Sequence, residues 1–141
     1  MQIAIVPARG GSKRIPRKNV RAFAGRPMIA WPLAAARESG LFDRIVVSTD
    51  DDEIAAVAEA AGGEVPFRRP PGLSDDITPT RSVINHAVGE VERLSGGHVE
   101  TVCCLYATAA FVTAPDLVAA RRMLDAGPGR RFVFAAARYP H

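Results

Sequence analysis

"RIVVSTDDDEIAAVAEAAGG", residues 44–63, reads as a strand followed directly by a helix. Positions 44–49 form a short, apolar, β-branched run of the kind that fills a buried strand. Three acids then open a segment with helical apolar spacing, and Gly62 and Gly63 close it. Acids in a first turn and glycine at an end are what the helix dipole and capping favour. The spacing therefore predicts a strand over 44–49 and a helix over 50–63.

The same alternation extends in both directions. "IAIV" (3–6) reads as a buried strand, and "PMIAWPLAAARESG" (27–40) as a helix despite Pro32, with Gly40 as its C-cap. A brief strand is predicted over 64–67, a helix over 78–97 starting near Pro79, a strand over 101–106, a helix over 114–127 and a final strand over 131–137. Strands alternating with helices predict an α/β fold, with a mostly parallel sheet flanked by helices and right-handed crossovers. Ligands of such sheets sit beyond the carboxyl ends of the strands. The loops opening at Pro7, at "STDDD" and at "YATAAF" should therefore converge on one cleft. The segment 68–77, stiffened by Pro70 and Pro71, should flank it. With no repeat, low-complexity tract or linker, residues 1–141 read as a single α/β domain.

No apolar run is long enough for a membrane span, and the start lacks a secretory pattern. Cys103 and Cys104 are adjacent, so neighbouring strand positions send them to opposite faces. They read as two buried thiols of a reducing cytoplasm rather than a disulfide. The formal net charge of +3 is uneven. Residues 1–37 hold eight cations and no acid, whereas the remainder holds ten cations and fifteen acids. Local positive charge fits a compact anion better than it fits nucleic acid, and only Phe23 lies near the cations to stack on a base. On charge alone, a solvated basic loop is an equal reading.

"PARGGSKRIPRKN" (7–19) is the centre of that charge. Gly10 and Gly11 allow backbone amides to turn inward as an anion nest, and Ser12 adds a hydroxyl. Arg9, Lys13 and Lys18 are placed to make charge-assisted contacts to an oxyanion. The chain has sixteen arginines but only two lysines, both in this stretch, and lysine suits a single phosphate oxygen. The stretch is neither a Walker A loop nor a G-x-G-x-x-G fingerprint. Asp50, Asp51 and Asp52 read either as ligands for a divalent cation or, preferably, as an N-cap and first helical turn. Asp75 and Asp76 read as metal-facing or turn-forming. His86 reads as structural, and His98 and His141 show no partner in the sequence.

"IAIVPARGGSKRIPRKNVRAFAGRPMI" resembles the opening of the bacterial CMP-N-acylneuraminate synthetase family, the cytidylyltransferases that activate nine-carbon acidic sugars. "LFDRIVVSTDDDEIAAVAEAAGGEVPFRRP" and "LSDDITPTRSVINHAV" extend the likeness over nearly the whole chain, and "YATA" with "KRIPRKN" is most similar to the pseudaminic acid branch. The resemblance implies a Rossmann-like domain of nucleotide-diphospho-sugar transferase type. It also implies transfer of CMP from CTP to a nonulosonic acid, with Mg²⁺ as cofactor and pyrophosphate released. Sialic and legionaminic acids are the alternative sugars, and a non-catalytic CTP-binding fragment is the alternative function.

By the same resemblance, Arg9 and Lys18 are the catalytic cations, Arg9 toward the pyrophosphate and Lys18 toward the α-phosphate. Gly10, Gly11, Ser12 and Lys13 support the triphosphate, and Asn19 meets the ribose or phosphates. Arg69 and Thr80 hold the cytidine, Ala8 offers backbone groups to the base, and Tyr106 faces the sugar. Ala110 stands where the family has proline. Family chains also continue further, through the acidic metal-binding motif, more sugar contacts and much of a homodimer interface. The expectation is therefore a chain truncated at its C-terminus, with its metal ligands unassigned.

Overall fold

Ile3, Ala4, Ile5 and Val6 are all fully buried, which requires a strand covered on both faces. The structure, a computed structural model, describes residues 1–127, 129 and 131–139. In it these residues form the central strand of a parallel sheet. Strand β1 (Gln2–Pro7) lies between β4 (Arg44–Ser48) and β5 (Thr101–Cys104), in the order β4-β1-β5. The register sets Ile3 beside Arg44 and Val102, and Ile5 beside Val46 and Cys104. Between β1 and β4 come the two-residue strands β2 (Ala22–Phe23) and β3 (Arg26–Pro27), then helix α1 (Ala30–Ser39). Helix α2 (Asp52–Ala60) follows β4, α3 (Thr80–Ser95) precedes β5, and α4 (Ala114–Asp125) follows it.

Strand alternation divides the core in two. Ala4, Val6 and Val47 pack with Leu33 of α1, Ile54 of α2 and Leu117 of α4. Ile3, Ile5 and Val46 pack on the other face with Ala87 and Val91 of α3. The α/β sandwich expected from the alternation is therefore present.

Three boundaries differ from the sequence reading. The helix expected over 27–40 starts at Ala30, because residues 22–27 make a hairpin. Its turn residues Ala24 and Gly25 have φ of 47° and 87°, both in the region that primed hairpin turns need. Pro32 then falls in the first helical turn, where no helical N–H partner is lost. The strand expected over 64–67 is a single bridge from Val46 to Glu64, and Pro66 cannot donate to a ladder. The strand expected over 131–137 does not form, and Phe132 and Phe134 are 76% and 74% exposed. β-branched and aromatic content favours a strand only where a neighbour supplies hydrogen bonds and cover, and here neither is supplied.

The thiols also divide. Cys103 packs against the α1 side of the core, where burial first and Cys104 second push its pKa up to about 11. Cys104, on the opposite face of the edge strand, is exposed rather than buried. His98 has a partner after all, Glu92, at 2.8 Å. His141 lies outside the described residues.

Candidate nucleotide site

Parallel strands bring the carboxyl ends of β1, β4 and β5 to one edge. The loop after β1 begins at buried Ala8, whose N–H donates to the Ser48 carbonyl at 3.0 Å. It is folded by its own contacts. Asn19 is buried and donates from Nδ2 to the Arg9 carbonyl at 3.0 Å, while its own carbonyl accepts from Ile29 N–H at 2.9 Å. Arg17 turns the chain with φ of 53° and is tied to the start of α2. Its guanidinium forks onto Asp51, at 2.7 and 2.9 Å, and also meets Glu53.

The acids after β4 are thus braces. Asp51 caps α2 by accepting from Ile54 N–H at 2.9 Å, and Asp50 accepts from Gly10 N–H at 3.0 Å. Asp52 binds Arg68 at 3.0 Å. The capping reading holds for Asp51, the N-cap, and for Asp52 in the first turn, whereas Asp50 lies before the cap and ties down the β1 loop instead. Of the three loops expected at the cleft, those after β1 and β5 line it, and the one after β4 anchors the first.

Arg9, Lys18, Asn19, Arg69, Thr80 and Tyr106 line a single cavity at this edge. These residues come from four chain segments, and the topology brings all six together. Thr80 opens α3, and its hydroxyl lies 3.4 Å from the Tyr106 phenol, which joins the two walls. The remaining candidates sit outside the lining. The N–H of Gly10 is bonded to Asp50 and that of Ser12 to the Gly10 carbonyl at 2.9 Å, while Gly11 is exposed. Lys13 is bound to Asp76.

Arg69 sets the electrostatics. It is 5% exposed, its Nε donates to Ser48 Oγ at 3.1 Å, its Nη2 donates to the Ser48 carbonyl, and its backbone N–H meets Thr49 O at 2.8 Å. No carboxylate pairs with it among the described residues. Burial pushes its pKa down from the ordinary value, with Asp50 opposing and Arg9 adding to the shift. A guanidinium stays charged regardless. A buried cation held only by neutral oxygens leaves unneutralised positive charge in the cavity wall. Lys18 adds to it, since its ammonium has no partner among the described residues.

Sequence reading missed Ser48, which orients Arg69. It left Asp75 and Asp76 undecided. Asp75 closes a turn by accepting from Ile77 N–H at 3.0 Å and Thr78 N–H at 2.6 Å. Hydrogen bonding to Thr78, its side chain first and its N–H second, holds the Asp75 carboxyl below the usual range. The signal was present in "SDDIT", an Asx-turn pattern. Among the described residues no group of three His, Cys, Asp or Glu side chains is arranged to hold a metal ion.

Gly10 matters through space rather than backbone angle. A Cβ there would meet Asp51 Oδ2 at 2.6 Å, and that oxygen is fixed by Arg17. Gly10→Ala is expected to lower stability by about 1–2 kcal/mol in urea unfolding. At Gly11 a Cβ would meet only Arg9 Nη1, at 3.9 Å, so Gly11→Ala should unfold like the parent chain.

The described residues thus form a Rossmann-like parallel sheet flanked by helices, with Arg9, Lys18 and Arg69 lining a cavity at its carboxyl edge. The structure of CMP:2-keto-3-deoxy-manno-octonic acid synthetase complexed with CTP superposes with a TM-score of 0.72 at 20% identity, over 92% of this chain and 49% of that one. A cytidylyltransferase from Leptospira borgpetersenii gives a TM-score of 0.68 at 19% identity. The cytidylyltransferase family profile matches residues 3–139, and the chain belongs to that family. It is 40% identical over 139 residues to the pseudaminic acid cytidylyltransferase of Campylobacter jejuni, covering 99% of this chain and 59% of that protein. It is 38% identical over 138 residues to the N-acylneuraminate cytidylyltransferase of Oncorhynchus mykiss, of which it covers 30%. The chain thus spans about three-fifths, or less, of the length of these relatives. No helix among the described residues is long and apolar enough to cross a membrane.

Proposed function

We propose that the cavity binds CTP and that the protein serves transfer of CMP to a nonulosonic acid, pseudaminic acid first, with release of pyrophosphate. One observation carries the reading: Lys18 and buried Arg69 line the same cavity, with no carboxylate partner among the described residues. Family membership and the CTP complex of a structural neighbour support it.

In this reading the sugar's anomeric hydroxyl attacks the α-phosphorus, its proton is lost, and the bond to pyrophosphate breaks. Such a reaction depends on alignment and on neutralising charge that moves to the leaving group. Lys18 holds the α-phosphate and Arg9 the departing pyrophosphate. Arg69 and Thr80 hold the cytidine, and Asn19 meets the ribose or the phosphates, whereas Ala8 lies outside the lining and is given no contact. Tyr106, bonded to Thr80, faces the sugar. Mg²⁺, when bound, neutralises phosphate charge, and we assign it no ligand among the described carboxylates. We further propose a cytoplasmic setting and a homodimeric assembly, as the resemblance implies.

Calorimetry with CTP, followed by a pyrophosphate-release assay with a panel of nonulosonic acids and Mg²⁺, tests the proposal. Binding with release is the expected result. CTP binding without release favours the second reading, a nucleotide-binding part of a longer enzyme, to which the 59% coverage points. Absence of CTP binding overturns both.

A further inference from the structure

Asp76 reaches across the mouth of the cavity to the loop after β1. Its Oδ1 lies 2.5 Å from Arg9 Nη1, and its Oδ2 meets Lys13 Nζ. One carboxylate thus bridges two cations with two oxygens, as two oxygens of a phosphate would. The two cations come from the loop expected to hold a triphosphate, and Asp76 itself lines the cavity. We infer that Asp76 is an intramolecular stand-in for phosphate, which an incoming nucleotide displaces, and that it thereby sets the affinity of the site. The inference rests on the nucleotide reading of the cavity.

The loop carrying Asp76 is built for such an exchange. Its base is firm: Pro70 precedes a 3-10 turn over Pro71–Leu73, and Pro79 leads into α3. The Asx turn of Asp75 fixes the backbone at Ile77 and Thr78. The tip has no apolar anchor, since Ile77 is 86% exposed. What holds Asp76 toward the β1 loop is therefore charge. The Asp76 and Arg9 side chains are about one-third exposed and Lys13 is 81% exposed, so water screens the pairs and they contribute little. A triphosphate offers more negative charge and more oxygens to the same cations. Lys13 and Arg9 hold the Asp76 carboxyl below the usual range, so it is ionised at neutral pH. An anion that enters therefore meets a like charge as well as a competitor.

The test compares CTP and inorganic tripolyphosphate binding, by calorimetry, for the parent chain, Asp76→Asn, Asp76→Ala and Glu59→Gln. The last removes an exposed charge on α2, away from the cavity, and controls for net charge. Both Asp76 variants should bind each probe about 2- to 5-fold more tightly, the scale of one screened ion pair, with Glu59→Gln unchanged. Unaltered thermal unfolding would show that the gain is local. Equal or weaker binding by both Asp76 variants overturns the inference, and so does an equal gain in Glu59→Gln. Tighter tripolyphosphate binding without any CTP preference leaves the displaced carboxylate standing and removes the cytidine reading. Binding of neither probe by any chain removes both.

Discussion

Lys18→Ala is expected to weaken CTP binding by about 10- to 100-fold and to leave thermal unfolding unchanged. A charge-assisted contact in a partly shielded site contributes roughly 1.5–3 kcal/mol, and each 1.4 kcal/mol is tenfold in affinity. Stability should not move, because Lys18 forms no ion pair or hydrogen bond that the fold relies on among the described residues. The loop supplies its own controls. Arg14 is exposed and lies outside the cavity lining, so Arg14→Ala should change binding only through long-range charge, by less than about threefold. Lys18→Arg separates charge from shape. A planar fork in place of a compact ammonium should recover part of the affinity and less of any turnover. Calorimetry on the three variants decides the matter. If Lys18→Ala and Arg14→Ala lose equally little, Lys18 has no place in the site.

What the sequence disclosed depended on how far apart the interacting residues lie. The unit over residues 44–63 could be read because its determinants are neighbours: Asp51 caps the N–H of Ile54, three positions on. The cleft was legible from topology, since parallel strands put their carboxyl ends together whatever their side chains. Roles for Arg69 and Thr80 came through the family likeness alone. Nothing in "FRRP" says that the second arginine is buried against Ser48. The charge of the opening loop misled when read locally. It has no acid within it, yet Asp51, Glu53 and Asp76 reach it from later segments. Long-range ion pairs leave no periodic trace. The expected strand over 131–137 failed for the converse reason, because local preference was present and the pairing was not.

Removing the Asp51 carboxylate should have the largest effect on stability, and two substitutions divide its duties. Asparagine keeps an oxygen to cap Ile54 but gives up the charge toward Arg17. Alanine gives up both. Arg17 is the main cause of an Asp51 pKa lowered from 3.8 to about 2, and its hydrogen bonds outweigh burial, which pushes the other way. The guanidinium keeps its charge throughout, with its own pKa raised first by the bond to Asp51.

A carboxyl lowered by this much corresponds to about 2 kcal/mol, reduced to about 1–2 because Arg17 is 39% exposed. The folded pKa lies below the unfolded one, so this stability is complete above about pH 4 and lost as pH falls through about 2. Asp51→Asn should therefore be about 1–2 kcal/mol less stable than the parent at pH 7, and the gap should close as the pH approaches 2. Asp51→Ala should lose about 1 kcal/mol more at every pH, the scale of a missing cap. Urea unfolding at pH 7 and across the acid range checks both, and a gap independent of pH would show that the charge has no part. The pair also opposes the cost of Arg17 at φ 53°, roughly 1–2 kcal/mol for a side chain other than glycine. Without it, the loop that carries Arg9 and Lys18 loses its tie to α2. The ordering that the loop now has before ligand arrives would then fall on binding, and CTP affinity should drop severalfold even though Asp51 never touches the cavity.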